Sequence, residues 1–278
     1  MKKINRRSFL AAAGLTAAAL ALTACGGSAS STASSTASSA ASSEAASTSA
    51  AAELTTVEAG KLTMATNAAF PPYEMTTDAG EFEGIDIDTA KAIAEKLGLE
   101  LQIDDMDFDA ALLSVQQGKA DIVMAGVTVT DERKAVMDFS DSYATGIQSI
   151  IVPNDSDIAS PDDLAGKKIG TQRGTTGYIY CSDDFGDDAV VAYDDGLTAV
   201  QALNNGQVDA VVIDNAPAKE FVAANPGLVI LDTSYAEEDY AIGLAKGSAL
   251  EDAVNAALEE LKADGTLQSI VDKYINAE

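Results

Sequence analysis

The chain has 278 residues, a formal net charge of −27 and no histidine. A surface this acidic argues against nucleic acid as a partner and against broad contact with anionic lipid. The lack of histidine excludes imidazole general-base catalysis and the Ser-His and Cys-His nucleophile pairs, and it removes nearly all zinc sites. We therefore expect no catalytic residue, no metal site and no cofactor.

The first 24 residues have the pattern of an export signal. Basic residues at the start precede an apolar run from Phe9 to Ala24, which is too short for a comfortable membrane span. Residues 22–25 (LTAC) resemble a bacterial lipobox, whose cysteine is lipidated and becomes the mature N-terminus. The alternative for Cys25 is an ordinary buried cysteine. Residues 5–10 (NRRSFL) also resemble a twin-arginine signal, so the export route stays open between Sec and Tat.

Residues 25–53 are predicted to be a lipidated cysteine followed by a disordered tether. Residues 26–52 are almost entirely Ser, Ala, Thr and Gly, which cannot bury enough apolar surface to offset the entropy of ordering. This composition favours a flexible coil that lets a folded domain reach away from a bilayer. The folded part is then about 54–278, long enough for two α/β lobes. With Cys25 assigned to lipid, Cys181 has no cysteine with which to form an intramolecular disulfide.

Helical and strand patterns alternate from residue 54 onward. A helix is predicted over 89–97, since its apolar residues share one face and Gly98 follows it. Closing helices are predicted at 248–263 and 266–275. Strands are predicted at 99–103, 122–125, 147–152, 167–171, 189–193, 228–232 and 240–245.

A candidate anion site follows the strand at 122–125. Gly126 and Thr128 come directly after it, and residues 130–133 open a short helical turn that carries Arg133. Backbone N–H groups, a hydroxyl and a guanidinium therefore converge at one strand tip. Such a tip suits a carboxylate, because the fork of arginine can hold both oxygens at once. The alternative for Arg133 is a surface ion pair.

A short internal repeat suggests a second tip facing the first. Residues 117–124 (QGKADIVM) align with 205–212 (NGQVDAVV), and each copy follows an amphipathic helical stretch. The second copy runs into Asp214, as the first runs into Gly126. If the copies are equivalent parts of two lobes, Arg133 and Asp214 face one cleft, as the carboxylate and ammonium of an amino acid require. The alternative for Asp214 is a helix N-cap.

Several motifs together resemble one protein family across nearly all of 54–278. They are residues 65–74 (ATNAAFPPYE), 84–88 (GIDID), 106–109 (MDFD), 125–133 (AGVTVTDER), 138–140 (DFS), 174–177 (GTTG) and 208–214 (VDAVVID). The family is that of the extracellular solute-binding proteins of polar amino acid ABC transporters, family 3. The resemblance implies an α/β, type II periplasmic-binding-protein fold, with two lobes joined by a two-strand hinge. Lobe 1 would be 54–143 plus 240–278, and lobe 2 would be 147–236.

The resemblance also implies roles for individual residues. Phe70 and Phe108 would be aromatic walls around the aliphatic part of the ligand, with plain core packing as their alternative. Arg133 would hold the carboxylate, and the N–H of Thr176 would assist it at a helix N-terminus. The full expected ligand-binding set is Asn67, Phe70, Phe108, Ala125, Gly126, Thr128, Arg133, Gln172, Thr176 and Asp214.

Three positions depart from the family pattern, so the preferred side chain does not transfer. Many relatives carry aspartate at the position of Asn67, and some carry lysine at Gln172 and histidine at Ile213. The pocket is therefore less charged than in those relatives. Arg173 could reach an acidic ligand or face solvent.

The function expected is that of a lipid-anchored, extracytoplasmic amino acid receptor for an ABC importer. Its partners would be an amino acid, the permease subunits and, through its lipid, the cell membrane; it would be a monomer that binds no nucleic acid. One rival is a dehydratase built on the same fold, which would need a general acid above the substrate. Asp214 is the only such acid in the expected set, and it is assigned to the ammonium. The other rival is a sensor or accessory domain, which would require a further segment beyond residue 278.

Overall fold

In this computed structural model the described residues are 54–275. The export signal, Cys25, the predicted tether and the last three residues lie outside them. The helices are α1 Ile85–Leu97, α2 Phe108–Gln116, α3 Asp131–Lys134, α4 Thr176–Phe185, α5 Gly196–Asn204, α6 Asn215–Ala224, α7 Glu251–Ala263 and α8 Thr266–Tyr274. Within 54–275, none of these helices has the length and apolar character needed to cross a bilayer.

The strands form two main sheets and one small one. They are β1 Lys61–Thr66, β2 Ala69–Phe70, β3 Glu74–Thr76, β4 Phe82–Glu83, β5 Glu100–Asp105, β6 Ile122–Val123, β7 Met137–Phe139, β8 Ala144–Pro153, β9 Ile169–Gln172, β10 Val190–Tyr193, β11 Ala210–Asp214, β12 Leu228–Ile230, β13 Ala236–Tyr240 and β14 Gly243–Ala245. The first sheet has the order β5-β1-β6-β14-β7, and the second has the order β10-β9-β11-β8-β12, with β13 also paired to β8. Strands β2, β3 and β4 form the small sheet.

The chain leaves the first sheet after β7 and returns to it at β14. The crossing strands β8 and β13 pair antiparallel, from Ala144 opposite Tyr240 to Gln148 opposite Ala236. A strand from late in the chain therefore completes the first sheet: β14 pairs antiparallel with both β6 and β7.

The two copies of the internal repeat occupy the same context in their respective sheets. Strand β6 lies parallel to β1, and β11 lies parallel to β9. The Asp121 carboxylate accepts the Thr63 N–H at 2.8 Å, and the Asp209 carboxylate accepts the Lys168 N–H at 2.7 Å. Each aspartate thus ties the start of its own strand to the chain entering the neighbouring strand. The repeated sequence encodes the same helix–turn–strand unit twice.

Three element bounds differ from the sequence-based predictions for tertiary reasons. Helix α1 begins at Ile85 rather than at residue 89, because the Ile85 N–H donates to the Pro72 carbonyl and starts the helix early. Strand β6 ends at Val123, before the turn at Gly126, whose φ is 55°. The run 240–245 is two strands, because β13 belongs to the second sheet and β14 to the first.

Each main sheet is covered by helices that bury apolar side chains against it. Against the first sheet, Ile93 of α1 and Leu258 of α7 pack with Leu62 and Met64 of β1, all fully buried. Burial of such side chains contributes about 1.5–3 kcal/mol each. The second sheet has its own clusters, built around Ile151 and Ile150 on its two faces. The strand ends that face the space between the sheets are therefore positioned by separate hydrophobic cores, one set for each sheet.

Candidate functional site

Four strand ends from the two main sheets meet at one cavity. All of the residues expected from the sequence to bind ligand line it: Asn67, Phe70, Phe108, Ala125, Gly126, Thr128, Arg133, Gln172, Thr176 and Asp214. The structure brings these ten residues together around one cavity. Their roles in binding a ligand remain predictions.

Arg133 is a buried cation on the wall of this cavity. It lies in the short helix α3, whose N-cap Thr130 accepts the Arg133 N–H at 3.2 Å. Its guanidinium donates from Nη1 to the Thr128 carbonyl at 2.8 Å and from Nη2 to the Gly174 carbonyl at 3.2 Å. Burial lowers the pKa of Arg133, and the Glu238 carboxylate opposes that effect. The alternative of a surface ion pair for Arg133 does not hold, since its exposed fraction is 8%.

Two aromatic rings, those of Phe70 and Phe108, line the cavity. The Arg133 guanidinium carbon is 5.4 Å from the centre of the Phe108 ring. The Phe70 ring stacks on Tyr73, with ring centres 5.8 Å apart. Phe70 also restricts residue 126, because a Cβ placed on Gly126 would lie 3.0 Å from that ring and the backbone φ of 55° disfavours other residues. The close approach of ring and backbone narrows the cavity at this point.

Asp214 lines the cavity and also caps helix α6. Its Oδ1 accepts the Ala216 N–H at 2.9 Å, and its Oδ2 accepts the Ile147 N–H at 2.8 Å. Burial raises the pKa of Asp214 to about 6, against the effect of these two bonds. The N-cap alternative considered for this residue is therefore its local role, and its position in the cavity is an additional property.

Asn67 and Gln172 meet across the cavity. The Gln172 amide donates from Nε2 to Asn67 Oδ1 at 2.8 Å and to the Asp194 carbonyl at 3.2 Å. The Asn67 amide donates to the Met106 carbonyl at 2.9 Å. Arg173 lies outside the cavity, more than half exposed, with its guanidinium 3.4 Å from the Asp194 carboxylate. The tips of β1 and β9 are thus joined directly by two neutral amides.

Two carboxyls next to the cavity, those of Glu74 and Asp86, are fully buried, and Glu74 lines the cavity. Glu74 lies beside Asp86, and among the described residues no N–H or hydroxyl donates to Glu74. Asp86 Oδ2 accepts the Gly126 N–H at 3.0 Å and the Tyr143 hydroxyl at 2.8 Å. Burial, followed by the neighbouring Asp86 charge, raises the pKa of Glu74 well above its usual value. Burial raises the pKa of Asp86 to about 6.

Sequence reasoning missed several lining residues. They are Glu74, Gln148, Thr175, Val212 and Tyr240. The expectation that Asp214 is the only acid in the cleft is wrong, because Glu74 lines the same cavity. Glu74 was within reach of sequence analysis, since it closes the motif at 65–74. Gln148 and Tyr240 lie on the crossing strands, where no local pattern marks a site.

Comparison with known proteins assigns the class. The sequence model of the bacterial extracellular solute-binding proteins, family 3, matches residues 62–277. The chain belongs to this family, and it has the type II periplasmic-binding-protein fold.

Characterised relatives and solved structures agree with this assignment. The chain is 32% identical over 225 residues to the L-cystine-binding protein TcyJ of Escherichia coli (strain K12), covering 80% of this chain and 85% of that protein. It is 33% identical to the arginine-binding extracellular protein ArtP of Bacillus subtilis (strain 168), covering 78% and 87%. Among solved structures, an ancestral arginine-binding protein bound to arginine is 43% identical, with a TM-score of 0.74 and coverage of 78% and 99%.

Proposed function

We propose that this protein is an extracytoplasmic amino acid receptor that delivers its ligand to an ABC importer. The observation that carries the proposal is the placement of Arg133 and Asp214 in one buried cavity between two sheets. A buried cation and a buried carboxyl in one small cavity complement the two charges of an α-amino acid. Charge-assisted bonds of this kind contribute roughly 1.5–3 kcal/mol each.

The ligand's α-carboxylate is assigned to Arg133 and the Thr176 N–H, and its α-ammonium to Asp214. Phe70 and Phe108 would contact the aliphatic part, with Ala125, Gly126 and Thr128 as polar contacts near the backbone. Asn67 and Gln172 would meet the end of the side chain. The two lobes proposed to close on it are 54–143 plus 240–278, and 147–236, pivoting on β8 and β13.

The test is a binding screen with L-arginine, L-histidine, L-glutamine and L-cystine, followed by the other common amino acids. Relatives named for arginine, histidine, glutamine and cystine set the order of the panel. We expect at least one amino acid to raise the melting temperature, because a ligand at a hundredfold excess over Kd adds about 2.7 kcal/mol of stability. Calorimetry then gives the affinity. A protein that binds none of them would overturn the proposal.

Catalysis is not part of the proposed function. Glu74 is an acid with a raised pKa that lines the cavity, which is what a dehydratase would need. Its carboxyl instead lies beside the Asp86 carboxyl, and both of its oxygens are buried. We expect no consumption of a prephenate-type substrate; measurable turnover that is lost in Glu74→Gln would favour the enzyme.

We further propose that the mature protein is held at the cell membrane by a lipid on Cys25, acts as a monomer and docks on permease subunits. The lipobox at residues 22–25 and the Ser/Ala-rich segment after it support the anchor. In Cys25→Ala the protein should be released, since a Ser/Ala tether has no membrane affinity of its own. Full membrane retention of this variant in a fractionation assay would overturn the lipid anchor.

A further inference from the structure

Glu238 is a buried carboxylate at the junction of the two sheets that the proposed function leaves unused. It lies on the crossing strand β13, and its exposed fraction is 6%. Three side chains donate to its Oε2: the Thr176 hydroxyl at 2.9 Å, the Gln148 amide at 3.0 Å and the Thr128 hydroxyl at 3.1 Å. Thr128 follows a strand of the first sheet, whereas Thr176 and Gln148 belong with the second.

The two threonines also line the cavity. A hydroxyl has one proton, so a threonine that donates to Glu238 presents only lone pairs in its other directions. The two hydroxyl oxygens are 3.4 Å apart, which places two such acceptors side by side. Both hydroxyls line the same cavity as the Asp214 carboxyl. A pair of acceptors on its wall suits an ammonium group and is unfavourable for a carboxylate.

We propose that Glu238 is a positioning residue for the ligand's ammonium: by taking the protons of Thr128 and Thr176, it fixes both hydroxyls as acceptors toward the cavity. This inference rests on the proposed function. Glu238 needs no contact with the ligand, because it acts through the two threonines. The cleft would then prefer an α-amino acid to the same acid lacking its amino group.

Comparing ligands with and without an ammonium separates this role from the effect of the Glu238 charge on the ligand's carboxylate. Glu238 also acts on the buried Arg133 charge. Removing Glu238 would therefore change the affinity for any carboxylate. An amino acid and its des-amino counterpart carry the same carboxylate, so this effect cancels in the ratio of their affinities. The ratio therefore reports the ammonium, which feels both the Glu238 charge and the two hydroxyls. Glu238→Gln and Glu238→Met lose the same charge, so the difference between them reports the hydroxyls.

The experiment measures that ratio by calorimetry for two probe pairs: L-arginine with 5-guanidinopentanoic acid, and L-glutamine with 4-carbamoylbutanoic acid. Glu238→Met has no acceptor, and we expect it to reduce the amino-acid preference about tenfold or more. Glu238→Gln retains one acceptor oxygen and should reduce it less. Glu237→Gln is the matched control, since Glu237 is the exposed neighbour on the same strand and its loss removes the same charge. An unchanged ratio in folded Glu238→Met would overturn the inference.

A double-mutant cycle on unfolding keeps the inference testable without a ligand. Glu238→Met, Thr176→Val and the double variant should show a clear coupling, because each single change breaks the same hydrogen bond. Additive effects would overturn the inference. If the wild type binds no amino acid, the proposed function fails, and the cycle alone decides whether Glu238 holds the Thr176 hydroxyl. If Glu238→Met does not fold, Glu238→Gln supplies the ratio.

Discussion

Arg133 is a buried charge: it has lost most of its contact with water and is held in position for a ligand. Its guanidinium is buried against Phe108 and engages two carbonyl oxygens, from Thr128 and Gly174, on the two sides of the cleft. Neither partner is charged, so the positive charge is left to be balanced by nearby acids and by an incoming anion. A cation held in this way is ready to bind a carboxylate with little rearrangement.

Replacing Arg133 with alanine should weaken amino acid binding by about 2–5 kcal/mol, because the ligand's carboxylate would be desolvated without a partner. Calorimetry with the tightest-binding amino acid of the screen measures the change. Lys134→Ala is the control, since Lys134 is the exposed neighbour in the same helix and should leave affinity unaltered. Equal affinities for wild type and Arg133→Ala would remove Arg133 from the site.

Asp214 gives binding a dependence on pH. The pKa of Asp214 is raised to about 6, and an ammonium requires the ionised carboxylate. Affinity should therefore be steady above pH 6 and decrease below it, by at most about tenfold per pH unit. Asp214→Asn should bind more weakly at pH 7, by about 2–5 kcal/mol, and should lose this dependence. A wild-type affinity that is constant between pH 5 and pH 7 would contradict the assignment.

Glu74 gives stability a dependence on pH. Its pKa is raised in the folded state, so its contribution to stability is present below its unfolded pKa of about 4.5 and is lost as pH rises toward the folded value. In that window it lowers the free energy of unfolding by about 1.4 kcal/mol per pH unit. Glu74→Gln should flatten this decrease between pH 5 and pH 7, as measured by urea unfolding. The exposed Glu81→Gln should behave like wild type.

At the scale of elements, the site depends on how strands end. The tips of β1, β6, β9 and β11 supply Asn67, the turn at 124–128, Gln172 and Asp214. Each tip continues directly into a turn or a helix whose first N–H groups lack partners within the helix. Capping side chains satisfy these groups at the same place where the cavity lies, so capping and site geometry are linked.

Thr130 is the cap that places Arg133. Its hydroxyl accepts the Arg133 N–H at 3.2 Å at the start of the four-residue helix α3. Thr130→Ala should lower the free energy of unfolding by about 1 kcal/mol and also reduce ligand affinity, because the backbone of Arg133 is no longer fixed. Thr130→Ser keeps the oxygen and should retain both properties. A loss of stability with full affinity would show that the cap does not position Arg133.

At the scale of the whole molecule, two separately packed sheets are linked along the chain by the two crossing strands β8 and β13. Bonds between the two sides include Gln172 to Asn67 and Arg133 to the Gly174 carbonyl, so the sheets are in contact at the cavity. Most of the apolar burial lies within each side rather than between them. A hinge motion about β8 and β13 would therefore preserve both cores.

Ligand should shift the protein toward the closed form, because only that form contacts both charges of an amino acid. Small-angle scattering on a chain beginning at residue 53 should give a smaller radius of gyration with saturating ligand. Arg133→Ala at the same ligand concentration should not contract. Identical wild-type profiles would mean that the hinge does not move or that the empty protein is already closed. A distance between labels on the two sides of the cleft, measured without ligand, separates these outcomes.

The sequence by itself determined the local units and most of the chemistry. The alternation of helix and strand, the unit repeated at 117–124 and 205–212, and the motif at 125–133 all depend on neighbours along the chain. Local periodicity and short motifs predict features that depend on neighbouring residues. The expected site residues were found in this way, with Gly126, Thr128, Arg133 and Asp214 predicted from strand-tip position and the others from the resemblance.

Only the tertiary structure decided how distant segments combine. Glu238 bonds to Thr128 across 110 positions of the chain, and Gln172 bonds to Asn67 across 105. Glu74 becomes a buried acid because the packing of α1 and the small sheet removes water from it and places Asp86 beside it. These properties arise from burial and pairing between segments, which no local pattern specifies.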